Sequence, residues 1–133
     1  MRWFMLAAAA AIVLPNAAGA QQRSANTTCA QGELTRIRLS KIKPGGSMAG
    51  FRDAVAAHTR WYQAHGYRIE QRIAPVLVSA KGKMSASPDE VMTFSTSDSV
   101  TREKHDAGWD AFVAKYRANS EIEKETIVCL PKG

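Results

Sequence analysis

Cysteine is nearly absent from this chain: its 133 residues include two, Cys29 and Cys129. That excludes a disulfide-rich miniprotein and a four-cysteine zinc site. No segment repeats at a fixed period, which removes solenoids and propellers. The Gly-x-Ser-x-Gly elbow, the Walker loop and the His-Glu-x-x-His helix are all missing, and no catalytic or metal-ligating residue is assigned. Long apolar runs are scarce as well. The one at residues 3–14 is too short to cross about 30 Å of hydrocarbon as a helix. Acid is the scarcer charge, with 12 Asp and Glu against 18 Lys and Arg, a formal net charge of +6. What remains is an ordinary globular composition, 45% hydrophobic, at a length that suits one domain.

The short apolar run reads as an export signal. Arg2 supplies the positive start, Pro15 and Asn16 end the run, and Ala18-Gly19-Ala20 offers small residues to a signal peptidase. Residues 1–20 are therefore expected to be removed, and the mature chain to be periplasmic or secreted, where disulfides persist. A flexible segment over 21–32 should precede an α+β domain over 33–130, with a short tail at 131–133. No later segment promises stable membrane insertion, and nucleic acid is a poor partner for an exported chain. A basic domain in that compartment fits an anionic small molecule or an anionic envelope component.

Periodicity gives the elements. Leu34, Ile37, Leu39 and Ile42 within 33–43 suit a half-buried strand, ended by Pro44-Gly45-Gly46. Ser47 is placed to cap a helix whose Phe51, Ala54, Val55, His58, Trp61, Tyr62 and His65 recur at three- and four-residue spacings. Gly66 should stop it. Tyr67, Ile69 and Ile73 alternate with charged residues as a second strand, with Pro75 marking a bulge or a sheet edge. Residues 79–90 read as a mobile loop, and 91–96 as a short strand with Met92 and Phe94 on one face. After the lead-in at 97–99, a second helix starts near 101. Trp109, Phe112, Val113 and Tyr116 form its stripe, with His105 one turn earlier. It should fade near Asn119-Ser120, and 126–130 reads as a closing strand.

The order β-α-β-β-α-β with right-handed crossovers gives a ferredoxin-like antiparallel sheet of order 4-1-3-2, with both helices on one face. In that sheet the start of the first strand lies beside the end of the last, so Cys29 and Cys129 meet. The alternative is two unrelated thiols. A bridge would close a loop of about 100 residues, worth up to about 4.7 kcal/mol in the chain-entropy model; its role is structural.

Candidate binding residues fall in two groups. If Ile37, Leu39, Ile69 and Ile73 face the helices, Arg36, Arg38, Arg68 and Arg72 form a basic patch on the open face, suited to a carboxylate or phosphate. His58 reads either as a core histidine bonded to a neighbour or, with Tyr62, Trp109 and Tyr116, as the lining of a pocket between helix and sheet. Gly45-Gly46 ahead of a helix could also hold an anion on free amides. His58 and His65 stand two turns apart, about 10 Å, too far to chelate one metal together, and no cofactor is assigned.

The element order, the Trp61-Tyr62 helix and the Trp109-x-x-Phe112-x-x-x-Tyr116 helix resemble the dimeric α+β barrel superfamily of antibiotic-biosynthesis monooxygenase-like and stress-responsive barrel proteins, over about residues 33–130. The resemblance implies a homodimer formed by facing sheets and a pocket between helices and sheet. It carries no catalytic residue onto this chain. The leading expectation is a non-enzymatic domain that binds an anionic ligand or partner. The alternative is a small-molecule enzyme using the pocket around His58, Tyr62 and Trp109.

Overall fold

The computed structural model describes residues 29–96 and 100–131. The expected export signal at 1–20, the segment at 21–28 and the lead-in at 97–99 lie outside the described residues.

Strand β1 (Gly32–Ile42) is followed by helix α1 (Met48–Ala64). Ser47 caps the helix from an extended conformation, its hydroxyl accepting from the Gly50 amide at 2.9 Å. The helix stops at His65, and Gly66 takes φ +75°. Strand β2 (Gln71–Ala80) starts later than its alternation suggests. Residues 67–70 are spent on α1 instead: Ile69 is buried against Trp61, Tyr62 and Phe112, and Tyr67 stacks on Trp61. Pro75 marks both an edge strand and a register shift, between Pro75 and Leu77.

The expected loop at 79–90 is a hairpin. Strand β3 (Lys83–Thr96) pairs back on β2 from Ala80↔Lys83 outward. Its two-residue turn has Lys81 at φ 50° and Gly82 at φ 75°, the positive pair that matches strand twist. After a 3₁₀ turn (Arg102–Lys104), helix α2 spans Ala107–Asn119, and strand β4 (Ser120–Pro131) is twice as long as its apolar core suggests. Its first half, Glu121 to Glu125, sets Ile122 among four charged residues and reads poorly as strand, but among the described residues it is an edge strand beside β1. His105 precedes α2 rather than lying on it, and stacks on Trp109 at 3.6 Å.

The sheet order is β2-β3-β1-β4, all antiparallel. This is the 4-1-3-2 order read from the other side, and the element sequence is consistent with a ferredoxin-like topology. Cys29 and Cys129 are disulfide-bonded. Among the described residues no helix is long and apolar enough to cross a membrane.

The facing of β1 is the reverse of the expectation. Val91 packs under Phe51 and Val55 of α1, so it marks the helix side of the sheet. The register pairs Ser40 with Val91, Arg38 with Thr93 and Arg36 with Ser95, which turns both arginines toward the helices. Ile37 and Leu39, opposite Phe94 and Met92, point away. Ile69 and Ile73 do pack on the helix side, as expected. Arg72 lies opposite Phe94 on the outer face and Arg68 is exposed ahead of β2, so the four arginines do not share one patch.

The glycines before α1 are not an anion cradle. Asn119, at the end of α2, takes the Ser47 amide on Oδ1 and the Lys43 amide on its carbonyl, both at 3.0 Å. The Gly46 amide is spent on the Lys43 carbonyl. A methyl group at position 46 would meet the Asn119 carbonyl oxygen at 2.3 Å, a contact with backbone that cannot swing aside. Gly46→Ala should therefore destabilise the domain by about 1–3 kcal/mol, read as a lower urea midpoint. An unchanged midpoint would contradict this junction.

Candidate functional site

The α1 stripe aims His58 at the sheet between Val55 and Tyr62, and α2 closes over it with Trp109, Phe112 and Tyr116. The His58 ring, 5% exposed, stacks on Phe112 at 4.0 Å and lies tilted over Tyr62 at 4.3 Å. Trp109 and Tyr116 meet it edge-on at 5.7 and 5.9 Å. The ring is both a bonded core histidine and part of a pocket wall.

Its hydrogen bonds fix its state. The Thr59 hydroxyl donates to Gln71 Oε1 at 3.0 Å, which leaves the Gln71 amide nitrogen to donate to His58 Nδ1 at 3.2 Å. The Tyr116 hydroxyl lies 3.4 Å from the same nitrogen. Nδ1 thus accepts, and the neutral ring carries its proton on Nε2. Burial, reinforced by the Arg38 charge, lowers the His58 pKa to about 3, so the ring is neutral near pH 7. Burial likewise raises the Tyr62 and Tyr116 hydroxyls above their ordinary value.

Between this aromatic layer and the sheet lies a cavity of about 830 Å³. Its floor is Arg36, Arg38, Ser40, Gln71, Thr93 and Ser95, and its roof includes Phe51, His58, Tyr62, Trp109, Phe112 and Tyr116. Lys43, Arg117 and Glu121 also line it. Arg38 Nε donates to Glu125 Oε2 at 2.5 Å, and this bond holds the Glu125 carboxyl below its usual pKa. Arg36 Nε stands 3.8 Å from the other Glu125 oxygen, beyond hydrogen-bond reach. One carboxylate thus faces two guanidinium groups, and the floor keeps an excess positive charge. Two fully buried polar atoms of lining residues lack a hydrogen-bond partner among the described residues: Arg36 Nε and His58 Nε2.

No family model, curated protein or solved structure matches this chain. The site is therefore read from its own geometry.

Of the sequence candidates, Arg36, Arg38, His58, Tyr62 and Trp109 come together in one cavity. Arg68 and Arg72 do not; Arg72 pairs with Glu70 at 3.4 Å beside a separate outer recess of about 370 Å³. Gln71 and Glu125 went unrecognised, because long-range pairing rather than local pattern brings them to His58 and Arg38. Asp106 was also missed, although an Asp three residues ahead of an aromatic run signals an N-cap. It caps α2 through the Trp109 amide at 2.8 Å, takes the Trp61 indole N–H at 2.7 Å, and meets His65 Nε2 at 2.9 Å. Those bonds, led by the Trp109 amide, lower its pKa to about 2. Asp106 thereby ties the end of α1 to the start of α2, at one side of the pocket roof. Among the described residues no group of three or more His, Cys, Asp or Glu could hold a metal ion.

The depressed His58 pKa sets a pH dependence. Folded His58 resists protonation down to about pH 3, while the unfolded ring binds a proton near pH 6.5. Stability is thus complete above pH 6.5 and falls below it, by up to about 1.4 kcal/mol per pH unit. Carboxylate titration begins only near pH 4, so urea midpoints between pH 7 and 5 should show this decline, and His58→Gln should flatten it. Parallel pH profiles in the two proteins would contradict a buried neutral ring.

Proposed function

We propose that this domain binds a small organic anion with an apolar body, taken into the cavity between the helices and the sheet. The observation that carries the reading is the second guanidinium: Arg38 is hydrogen-bonded to Glu125, while Arg36 lines the same aromatic-roofed cavity with only a loose 3.8 Å ion pair to that carboxylate. A ligand carboxylate would answer that incompletely paired charge, and guanidinium groups favour carboxylates by geometry as well as charge. A cavity with an apolar roof and a few placed polar groups is the usual form of a small-molecule site. The Arg36 and Arg38 side chains remain 32% and 28% exposed, so an anion can reach them from solvent.

The reading extends to location. The apolar run over 3–14, the small residues at 18–20 and the disulfide support an exported protein working in a periplasmic or extracellular space.

The size of the cavity also supports the alternative, an enzyme of the antibiotic-biosynthesis monooxygenase-like kind within the dimeric α+β barrel superfamily. Turnover of a bound acid would favour that alternative, and recovery of the ligand unchanged favours binding alone.

Naphthoate is a suitable probe, offering one carboxylate on a flat apolar body. It should raise the melting temperature progressively with the logarithm of its concentration above Kd, with affinity falling as salt rises. Arg36→Gln leaves the Arg38–Glu125 pair in place and should weaken binding about tenfold or more, the worth of one charge-assisted hydrogen bond. Equal affinity in the variant would contradict the reading.

A further inference from the structure

We infer that the tip of the β2–β3 hairpin docks on an anionic lipid surface. The tip is separate from the anion cavity, whose lining includes no residue between Gln71 and Thr93.

Strand β3 pairs with β1 only from Glu90 to Thr96, but with β2 all the way from Lys83. Residues 77–86 therefore run on past the four-stranded sheet as a ribbon of two strands, closed by Lys81-Gly82. Every residue from Leu77 to Ala86 is exposed. Leu77 and Met84, 56% and 62% exposed, share one face through the pairs Leu77↔Ala86 and Ser79↔Met84, and Val78 faces the other way. A two-stranded ribbon with neither face covered is marginal in water. Apolar side chains gathered on such a projection mark a contact surface.

Charge and shape decide what covers it. No acid lies between Glu70 and Asp89, while Lys81 and Lys83 sit at the turn. Asp89 and Glu90 stay at the base of the arm, where both accept from the Ser87 hydroxyl. Arm-to-arm contact with a second copy would set lysine against lysine. A flat protein partner would cover one face and leave the other in water. A headgroup layer surrounds an inserted tip on every side, and its phosphates answer the two lysines. The rest of the tip is small: Ser79, Ala80, Gly82, Ser85 and Ala86. From Leu77 to Ala80 the ribbon reaches about 10 Å, matching the roughly 5–10 Å to which interfacial elements enter. Its outer edges have no strand beside them among the described residues, so their backbone groups hold the tip at headgroup depth, where water remains.

The test is co-sedimentation of the oxidised mature chain, residues 21–133, so that the apolar run at 3–14 cannot bind lipid by itself. Vesicles of equal parts phosphatidylglycerol and phosphatidylcholine should carry the protein down, vesicles of phosphatidylcholine alone should not, and salt should release it. Lys81→Asn with Lys83→Gln should weaken partitioning about tenfold or more. Asn-Gly is a favoured two-residue turn, so this variant keeps the hairpin. Leu77→Ser with Met84→Ser should weaken it by a similar factor, without loss of stability, since both side chains are exposed. Arg60→Gln with Lys115→Gln removes the same charge from exposed positions on α1 and α2 and should leave partitioning nearly unchanged.

An equal loss in the helix variant, or no loss in either arm variant, overturns the inference. So does a dimer in analytical ultracentrifugation that Leu77→Ser with Met84→Ser dissolves, because the arm's occupant is then a second copy. Failure to bind either vesicle overturns it too, and leaves the cavity reading standing. In the unmutated, isotope-labelled protein, the amide signals of residues 77–86 should be the first to broaden as mixed vesicles are added. Broadening that begins elsewhere contradicts docking through this arm.

Discussion

The register of β1 against β3 decides what kind of molecule this is. A strand's side chains alternate faces, so moving the pairing by one residue would exchange every inward group for an outward one. With Arg38 opposite Thr93 and Ser40 opposite Val91, the inward row of β1 is Arg36, Arg38 and Ser40. Two guanidinium groups cannot be sealed beneath helices without a large desolvation cost. The helices accordingly do not close down on this part of the sheet. They pack down on Val91 and Ile73 of the sheet, on Ile42 at the end of β1, and on Ile69 ahead of β2, and the cavity opens over Arg36 and Arg38. Glu125, delivered by the edge strand β4, offsets one of the two charges.

The aromatic layer follows from the same constraint. A roof over a polar floor needs side chains that are rigid enough to span space and that can carry a polar tip. Tyr62, Tyr116, Trp109 and His58 supply that, and they are set by helical spacing on α1 and α2. Their mutual ring contacts, and the Asp106 bonds that join α1 to α2, hold the roof at a fixed height rather than letting it collapse. The cavity is thus a consequence of two opposed demands: apolar packing around Val91, Ile73 and Ile69, and hydration or ligand contact over Arg36 and Arg38.

Much of the architecture was legible in the residues. The Ser47 cap, the α1 stripe, the Gly66 stop and the topological meeting of Cys29 with Cys129 follow from local chemistry and chirality alone. The membership of the pocket was partly legible too, since helical spacing groups His58 with Tyr62, and Trp109 with Tyr116. What escaped was the side of the sheet. Residues 36–39 alternate Arg with Ile37 and Leu39, so the pattern establishes two faces without saying which the helices cover, and the ordinary preference for burying aliphatic side chains pointed the wrong way. Glu125 and Gln71 escaped because each acquires its role only through pairing across the sheet. The β2–β3 hairpin escaped because Lys81-Gly82 is a weak turn signal and its flanking residues are small and polar.

The facing of β1 can be measured directly. In isotope-labelled protein, nuclear Overhauser contacts from the Ile37 and Leu39 methyl groups should run to Phe94 and Met92 across the outer face. Methyl contacts from Ile37 or Leu39 to Phe51, His58 or Phe112 would place the isoleucine row under the helices instead, and the cationic cavity floor would not exist.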